Sequence, residues 1–229
     1  MAGSTSKIDV YLEIGKKRTL AGAIDWPGWC RGGRDEESAL QALLDYAPRY
    51  AELVRGMRLG FHAPKDVADF QVVERLEGNA TTDYGVPDKT PERDEHPIDE
   101  ADLKRFQKLL EAYWRALDGA AKAAKGKQLR KGPRGGGREL EGIIEHVLGA
   151  NVSYLGRLAW KGEKREVQDL SEAIGQASQE TSAALAAAAQ GELPERGPRG
   201  GVLWQPRYFV RRAGWHVIDH VWEIEDRAE

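Results

Sequence analysis

The sequence is poor in several features that mark particular classes of protein. Cys30 is the single cysteine in 229 residues, which excludes an internal disulfide framework and fits a reducing compartment. No apolar run approaches the ~18–20 residues of a membrane-spanning helix, and the first residues lack the apolar core of a signal peptide. These absences predict a soluble, cytoplasmic protein without a membrane partner.

The sequence also has no large excess of positive or negative charge. The 34 Lys and Arg residues nearly balance the 37 Asp and Glu residues, so no overall basic field would attract DNA or RNA. A local basic tract extends from Lys122 to Arg138, and its default interpretation is a solvated connection. No aromatic residues alternate with these charges, which argues against nucleic-acid binding. The common phosphate-loop, dinucleotide-binding and nucleophile-elbow motifs are missing as well.

The first third of the chain predicts a small β/α unit. Residues 7–26 alternate between apolar and polar positions, as two strands joined by a turn at residues 15–17 would. Residues 27–33 are rich in glycine and indicate a loop. Residues 35–54 carry an apolar stripe at helical spacing, opened by acidic residues, and residues 69–78 predict one more strand.

From residue 99 onward the pattern is helical. Apolar residues recur at helical spacing in four segments, which glycine-rich or charged stretches separate: 99–124, 138–160, 169–190 and 205–226. At 1.5 Å per residue such helices would be roughly 30–39 Å long, a length that suits a four-helix bundle.

These patterns divide the chain into three parts. Residues 79–98 contain three prolines and many charges, and we interpret them as a linker. The sequence therefore predicts the α+β class, with a β/α module at residues 1–78 and a helical bundle at residues 99–229.

Three histidines fall where two of the predicted helices could hold a metal ion. His216 and His220 are four residues apart, so their side chains project from one face of the fourth helix. His146 flanks the apolar stripe of the second helix, about 12 Å from its start. Three neutral imidazoles would preserve the charge of a divalent ion and leave one position open, as in catalytic zinc sites. Polar residues at the edge of a packing helix are the alternative interpretation.

The two histidine segments, ELEGIIEHVLGANVSYLGRL and RRAGWHVIDHVWEIEDR, resemble the DinB/YfiT-like metal-binding four-helix bundles. The resemblance covers about residues 99–227. It implies an up-down-down-up bundle, with a crossover around residues 161–169, and a zinc or nickel ion held by His146, His216 and His220. It also implies a metal-dependent thiol S-transferase or isomerase. Such an enzyme acts on a small electrophilic substrate with a low-molecular-weight thiol: bacillithiol, mycothiol or glutathione.

The front part, AGAIDWPGWCRGGRDEESALQALLDYAPRY, is similar to a HicB-like β/α module over about residues 7–77. This resemblance implies an alternative function, a non-catalytic binding protein whose module recruits a protein or RNA partner. The DNA-binding segment typical of HicB antitoxins is not found in the sequence. A homodimer is compatible with either function.

Four further residues are candidates for the same site. Glu223, one turn after His220, is a candidate catalytic base, fourth ligand or hydrogen-bond partner of a ligand, with a surface carboxylate as the alternative. Arg134, Arg138 and Arg212 are candidate contacts for carboxylates of the thiol or the substrate.

Overall fold

A mixed four-stranded sheet followed by helices makes up the described chain, which confirms the predicted α+β class. The computed structural model describes residues 7–131, 137–161, 169–196 and 202–229. The chain divides into two units, Met1–His96 and Pro97–Glu229.

The sheet of the first unit has the strand order β3-β2-β1-β4. Its strands are β1 (Ile8–Ile14), β2 (Thr19–Ala23), β3 (Cys30–Gly33) and β4 (Phe70–Glu77). β1 pairs antiparallel with β2 and parallel with β4, and β2 pairs antiparallel with β3. The predicted hairpin at residues 15–17 and the predicted last strand are both confirmed.

Strand β3 lies where the sequence predicts a loop, and that prediction was wrong for residues 30–33. Gly32 and Gly33 pair with Leu20 and Thr19 of β2. A Cβ atom on Gly33 would lie 2.4 Å from the backbone nitrogen of Ala39, so the glycine permits a close approach of the helix that follows. Glycine here marks close packing of backbone rather than a turn.

The helix predicted over residues 35–54 is two helices, α1 (Glu36–Asp45) and α2 (Ala47–Leu53). Asp35 caps α1, and its carboxylate accepts the N–H of Ser38 at 2.8 Å. Pro48 explains the break, because it lacks the N–H that a continuous helix needs and its ring would clash with the carbonyl four residues earlier.

The sequence predicts a linker over residues 79–98, and residues 79–96 of this segment belong to the first unit. They contain the helix α3 (Ala80–Tyr84) and a 3₁₀ turn at Glu92–Glu95, and a second 3₁₀ turn precedes β4 at Val67–Asp69. The buried carboxylate of Glu13 on β1 accepts the N–H groups of Asp88 at 3.0 Å and Lys89 at 3.1 Å. The prolines therefore interrupt regular structure without preventing this segment from packing on the sheet.

Replacing Glu13 by glutamine is expected to destabilise the first unit by about 2–3 kcal/mol. The change replaces one oxygen of a fully buried side chain that also accepts the hydroxyl of Thr82, and it turns an amide N–H₂ towards buried donors. Hydrogen exchange of β1 peptides, followed by mass spectrometry, measures the change. The matched control is Glu74→Gln, because Glu74 accepts the N–H of Glu92 in an exposed hydrogen bond. Equal effects of the two variants would contradict the expectation.

The four helices predicted after residue 99 are confirmed, each within about three residues. They are α4 (Glu100–Ala124), α5 (Leu140–Arg157), α6 (Leu170–Ala189) and α7 (Pro206–Arg227). Each helix of the pair α4 and α5 packs against both α6 and α7. Among the described residues, no helix combines the length and the apolar character that crossing a membrane requires.

Contacts near the helix ends give the directions of α4, α6 and α7. Arg207, near the start of α7, donates to Asp102, near the start of α4, so these two helices are parallel. Ser171, near the start of α6, donates to Asp118, near the end of α4, at 2.6 Å. Helices α4 and α6 are therefore antiparallel.

The direction of α5 follows from one more contact near a helix end. Arg227 at the end of α7 donates to the carbonyl of Arg138, just before α5, at 2.9 Å, so α5 and α7 are antiparallel. The buried side chains of Thr181 and Asn151 meet at 3.2 Å, about midway along α6 and α5. The helices thus run up, down, down and up. Most of the predicted crossover, around residues 161–169, lies outside the described residues.

Candidate metal centre

Three histidines meet between α5 and α7. His146 comes from α5, His216 and His220 come from α7, and one ring nitrogen of each lies within 4.8 Å of the others. The Nε2 atoms of His146 and His216 are 3.3 Å apart. The structure thus brings together all three of the histidines that the sequence predicts as ligands.

Helix packing shields these histidine side chains from solvent, although they lie beside the apolar core and not within it. Val217 and Val221 of α7 are buried, and His216 beside them is only 7% exposed. The side chain of His220 is 12% exposed, and that of His146 is partly exposed. Water therefore has little access to the cluster at His216 and His220, and more access at His146.

The spacing of the nitrogens suits a shared ion. Two nitrogens about 2.0–2.1 Å from a tetrahedral zinc ion are roughly 3.3–3.4 Å apart. The two Nε2 atoms of His146 and His216 have this separation, 3.3 Å. In the metal-free protein the same two atoms can share one proton in an N–H···N hydrogen bond. The residues present therefore fit a divalent ion without a large rearrangement.

Glu223 orients one of the three rings. Nδ1 of His220 lies 2.7 Å from Oε2 of Glu223, so the ring donates this N–H to the carboxylate and leaves Nε2 for the cluster. The other carboxylate oxygen accepts from Arg227 at 2.5 Å. The hydrogen bond from His220, then that from Arg227, lowers the pKa of Glu223. A carboxylate behind a histidine is a common arrangement at metal sites, where it fixes the ring and raises its basicity.

Arg227 links this carboxylate to the backbone at two other positions, Arg130 and Arg138. Its guanidinium donates to the carbonyls of Arg130 at 2.8 Å and Arg138 at 2.9 Å, as well as to Glu223. Gly137 has a φ of 144°, and a Cβ atom there would lie 2.5 Å from Nη2 of Arg227. Sequence reasoning missed Arg227, although its position four residues after Glu223 is the spacing of a helical ion pair.

The surroundings of His216 and His146 favour the neutral forms of these two rings. Burial lowers the pKa of His216 to about 3, and the positive charges of His220, Arg212, His146 and Arg138 act in the same direction. Burial also lowers the pKa of His146, with Arg138 as the next cause. Only the neutral imidazole has a lone pair for a metal, so ligand-ready rings are favoured at neutral pH.

The depressed pKa of His216 predicts how the metal-free protein responds to acid. The unfolded chain takes up a proton near pH 6.5, whereas the folded ring does so only near pH 3. The resulting stability is fully present above about pH 6.5 and is lost towards pH 3, by about 1.4 kcal/mol per pH unit. From pH 7 to 5.5, the wild type should lose about 1 kcal/mol more than His216→Gln. Urea unfolding in the presence of a chelator measures this, and parallel losses would contradict the assignment.

The candidate arginines have different positions. Arg138 is exposed and directly precedes α5, and Arg134 lies outside the described residues. Arg212 is on α7, where its guanidinium carbon lies 5.3 Å from the ring centre of Tyr154 and 4.9 Å from that of Trp215. Of the two that are described, Arg212 is the more buried, and its charge is close enough to His216 to lower the pKa of that ring.

A groove of about 930 Å³ lies elsewhere in the second unit, between α4 and α6. Trp114 and Arg115 of α4 and Ser178 of α6 are among the residues that line it, and none of the three histidines does. This groove is therefore separate from the metal centre.

Comparison with known proteins gives no match to a family model, to a curated protein or to a solved structure.

Proposed function

We propose that the helical unit binds one divalent metal ion, zinc or nickel, through His146, His216 and His220. One observation carries the proposal: three imidazole nitrogens converge within 4.8 Å, and one of the rings is oriented by a carboxylate. Neutral imidazoles suit first-row ions such as zinc and nickel, whereas magnesium and calcium prefer oxygen ligands.

The order of the helices supports the resemblance on which the enzymatic part of the proposal rests. An up-down-down-up bundle, with one histidine on its second helix and two on its fourth, is what a DinB/YfiT-like protein is expected to have. The first unit has three strands before its first helix, which is compatible with a HicB-like module. We propose both relationships on these grounds.

The proposed activity is metal-dependent transfer of a low-molecular-weight thiol to a small electrophile, or an isomerisation that uses the thiol. When bound, the ion supplies Lewis acidity that lowers the pKa of a thiol or water in its open position. In a transfer, the thiol sulfur forms a bond to the electrophilic carbon, the bond from carbon to halogen breaks, and halide and a proton are released. The low water access at His216 protects the reacting groups from solvent.

We assign Glu223 a positioning role instead of the catalytic role considered from the sequence. Both of its oxygens are engaged, one by His220 and one by Arg227, and its lowered pKa makes it a weak base at neutral pH. Its contribution is to hold the His220 ring with Nε2 towards the cluster.

Turnover of glutathione with a chlorinated aromatic electrophile tests the activity by the absorbance of the thioether product. We expect turnover that needs zinc or nickel and that is lost in His216→Ala. Bacillithiol and mycothiol are tested in the same way. A protein that binds metal but transfers none of these thiols would lack the proposed activity. Capture of a protein or RNA partner without metal would then favour the alternative, a binding protein.

A further inference from the structure

Arg212 has a buried hydrogen-bond donor for which the described part of the chain supplies no acceptor. Its Nη1 atom is shielded from solvent and has no hydrogen-bond partner among the described residues. The guanidinium carbon lies 5.3 Å from the ring centre of Tyr154 and 4.9 Å from that of Trp215, and these cation–π contacts help to hold it in place. Buried charged donors nearly always have an acceptor, so the missing one calls for an explanation.

Two other arginines of α7 are also largely buried, and in each the guanidinium is paired with a carboxylate. The side chain of Arg207 is 15% exposed and pairs with Asp102, and that of Arg227 is 13% exposed and pairs with Glu223. Both carboxylates come from the chain itself. For Arg212 the described residues supply aromatic faces but no carboxylate, so its acceptor is expected to come from a bound molecule.

Arg212 is also a direct neighbour of the metal centre. It precedes His216 by four residues and therefore projects from the same face of α7, about 6 Å along the helix axis. The ring of Tyr154, which contacts Arg212, also lies against the ring of His216, with 5.6 Å between ring centres. A small molecule that reaches the histidines can therefore reach Arg212 too.

We propose that Arg212 binds a carboxylate of the small molecule whose other end reaches the histidine cluster. The part of this inference that concerns the metal rests on the proposed function; the carboxylate site at Arg212 does not. A guanidinium fork binds a carboxylate through two N–H donors, which fixes its orientation as well as its charge. A separation of about 6 Å along α7 suits a carboxylate two or three bonds from the atom that reaches the metal. Mercaptocarboxylates have this chemistry, and so do thiols and electrophiles with a nearby carboxylate.

The first arm of the test uses zinc-loaded protein and two probes of the same shape, 3-mercaptopropionate and its neutral amide. Calorimetry should show at least about 10-fold tighter binding of the carboxylate to the wild type, as a charge-assisted bidentate contact provides. Arg212→Gln should lose this preference and keep its zinc, and Arg212→Lys should keep part of it. The control Arg115→Gln, on α4 in the separate groove, should behave as the wild type. Equal binding of acid and amide to wild type would overturn the proposal.

The second arm uses metal-free protein, so that failure of the metal proposal does not hide the result. Propionate, compared with propionamide at the same ionic strength, should raise the melting temperature of wild type but not of Arg212→Gln. If the wild-type protein does not bind zinc but is stabilised by propionate, the proposed function is contradicted and the carboxylate site is not. If propionate raises the melting temperature of Arg212→Gln as much as that of the wild type, the carboxylate site is overturned and the metal proposal is not affected.

The turnover assay then identifies which molecule carries the carboxylate. A KM that rises in Arg212→Gln for the thiol, with kcat nearly unchanged, assigns the carboxylate to the thiol. A KM that rises only for an electrophile with a carboxylate assigns it to that substrate. A KM that changes for neither molecule would contradict the proposal.

Discussion

Replacing His216 by alanine is expected to weaken zinc or nickel binding by about 100- to 1,000-fold. Structural zinc sites with four ligands bind with about 10–16 kcal/mol, so one imidazole contributes about 3–4 kcal/mol. His216 is the most buried of the three histidines and its nitrogen is the one paired with His146, so no other side chain can take its place easily. Competition with a chelating indicator at fixed pH measures the affinity, and His146→Ala should behave similarly.

The chain provides its own control for this experiment. It has five histidines, and the other two, His62 and His96, are exposed residues of the first unit. The double variant His62→Ala/His96→Ala should bind metal as the wild type does. If His216→Ala kept wild-type affinity, or if the double variant lost it, the metal would be bound elsewhere.

Replacing Glu223 by glutamine is expected to weaken metal binding by about 10- to 100-fold, as is usual when the partner of a ligating histidine is changed. The carboxylate accepts from His220 at 2.7 Å and from Arg227 at 2.5 Å. Glutamine has one acceptor oxygen, so either His220 or Arg227 would face an N–H₂ group. The His220 ring would be held less firmly, and its nitrogen would be a weaker donor to the metal.

The control for Glu223→Gln is Glu225→Gln, a change of the same kind at an exposed position two residues further along α7. Indicator competition under identical conditions compares the two variants. Unfolding in urea with a chelator shows whether Glu223→Gln keeps the fold. An affinity that stays within twofold of the wild type would mean that Glu223 does not support the metal centre.

The helical unit could be predicted closely from the sequence because its signals are local. Each of its four helices carries an apolar stripe over 18 residues or more, and glycine or charge separates them. The pairing of His216 with His220 follows from the helical repeat alone. Their meeting with His146 depends on which faces of α5 and α7 pack together, and the family resemblance supplied that expectation.

The features that sequence patterns did not reveal lie where tertiary contacts determine the structure. Strand β3 has four residues, two of them glycine, and its pairing with β2 is visible only once Gly33 is seen to lie against α1. Residues 79–96 pack on the sheet because Glu13, far away in the sequence, accepts their N–H groups. Local patterns contain neither kind of information.

The same reason explains what sequence reasoning missed around the site. Arg227 binds the carbonyls of Arg130 and Arg138, which are about 90 or more residues away in the chain. Arg212 could be named as a candidate anion contact from its charge. That its Nη1 atom is buried, with no acceptor among the described residues, emerges only from the packing near Tyr154 and Trp215.

The most direct test of the central claim is X-ray absorption combined with elemental analysis of the untagged protein after loading with zinc and removal of the excess. We expect about one zinc ion per chain, with three imidazole nitrogens at about 2.0–2.1 Å and a further light ligand in the open position. A protein that holds no zinc after this treatment, or zinc with mostly oxygen ligands, would contradict the claim that His146, His216 and His220 form a metal centre.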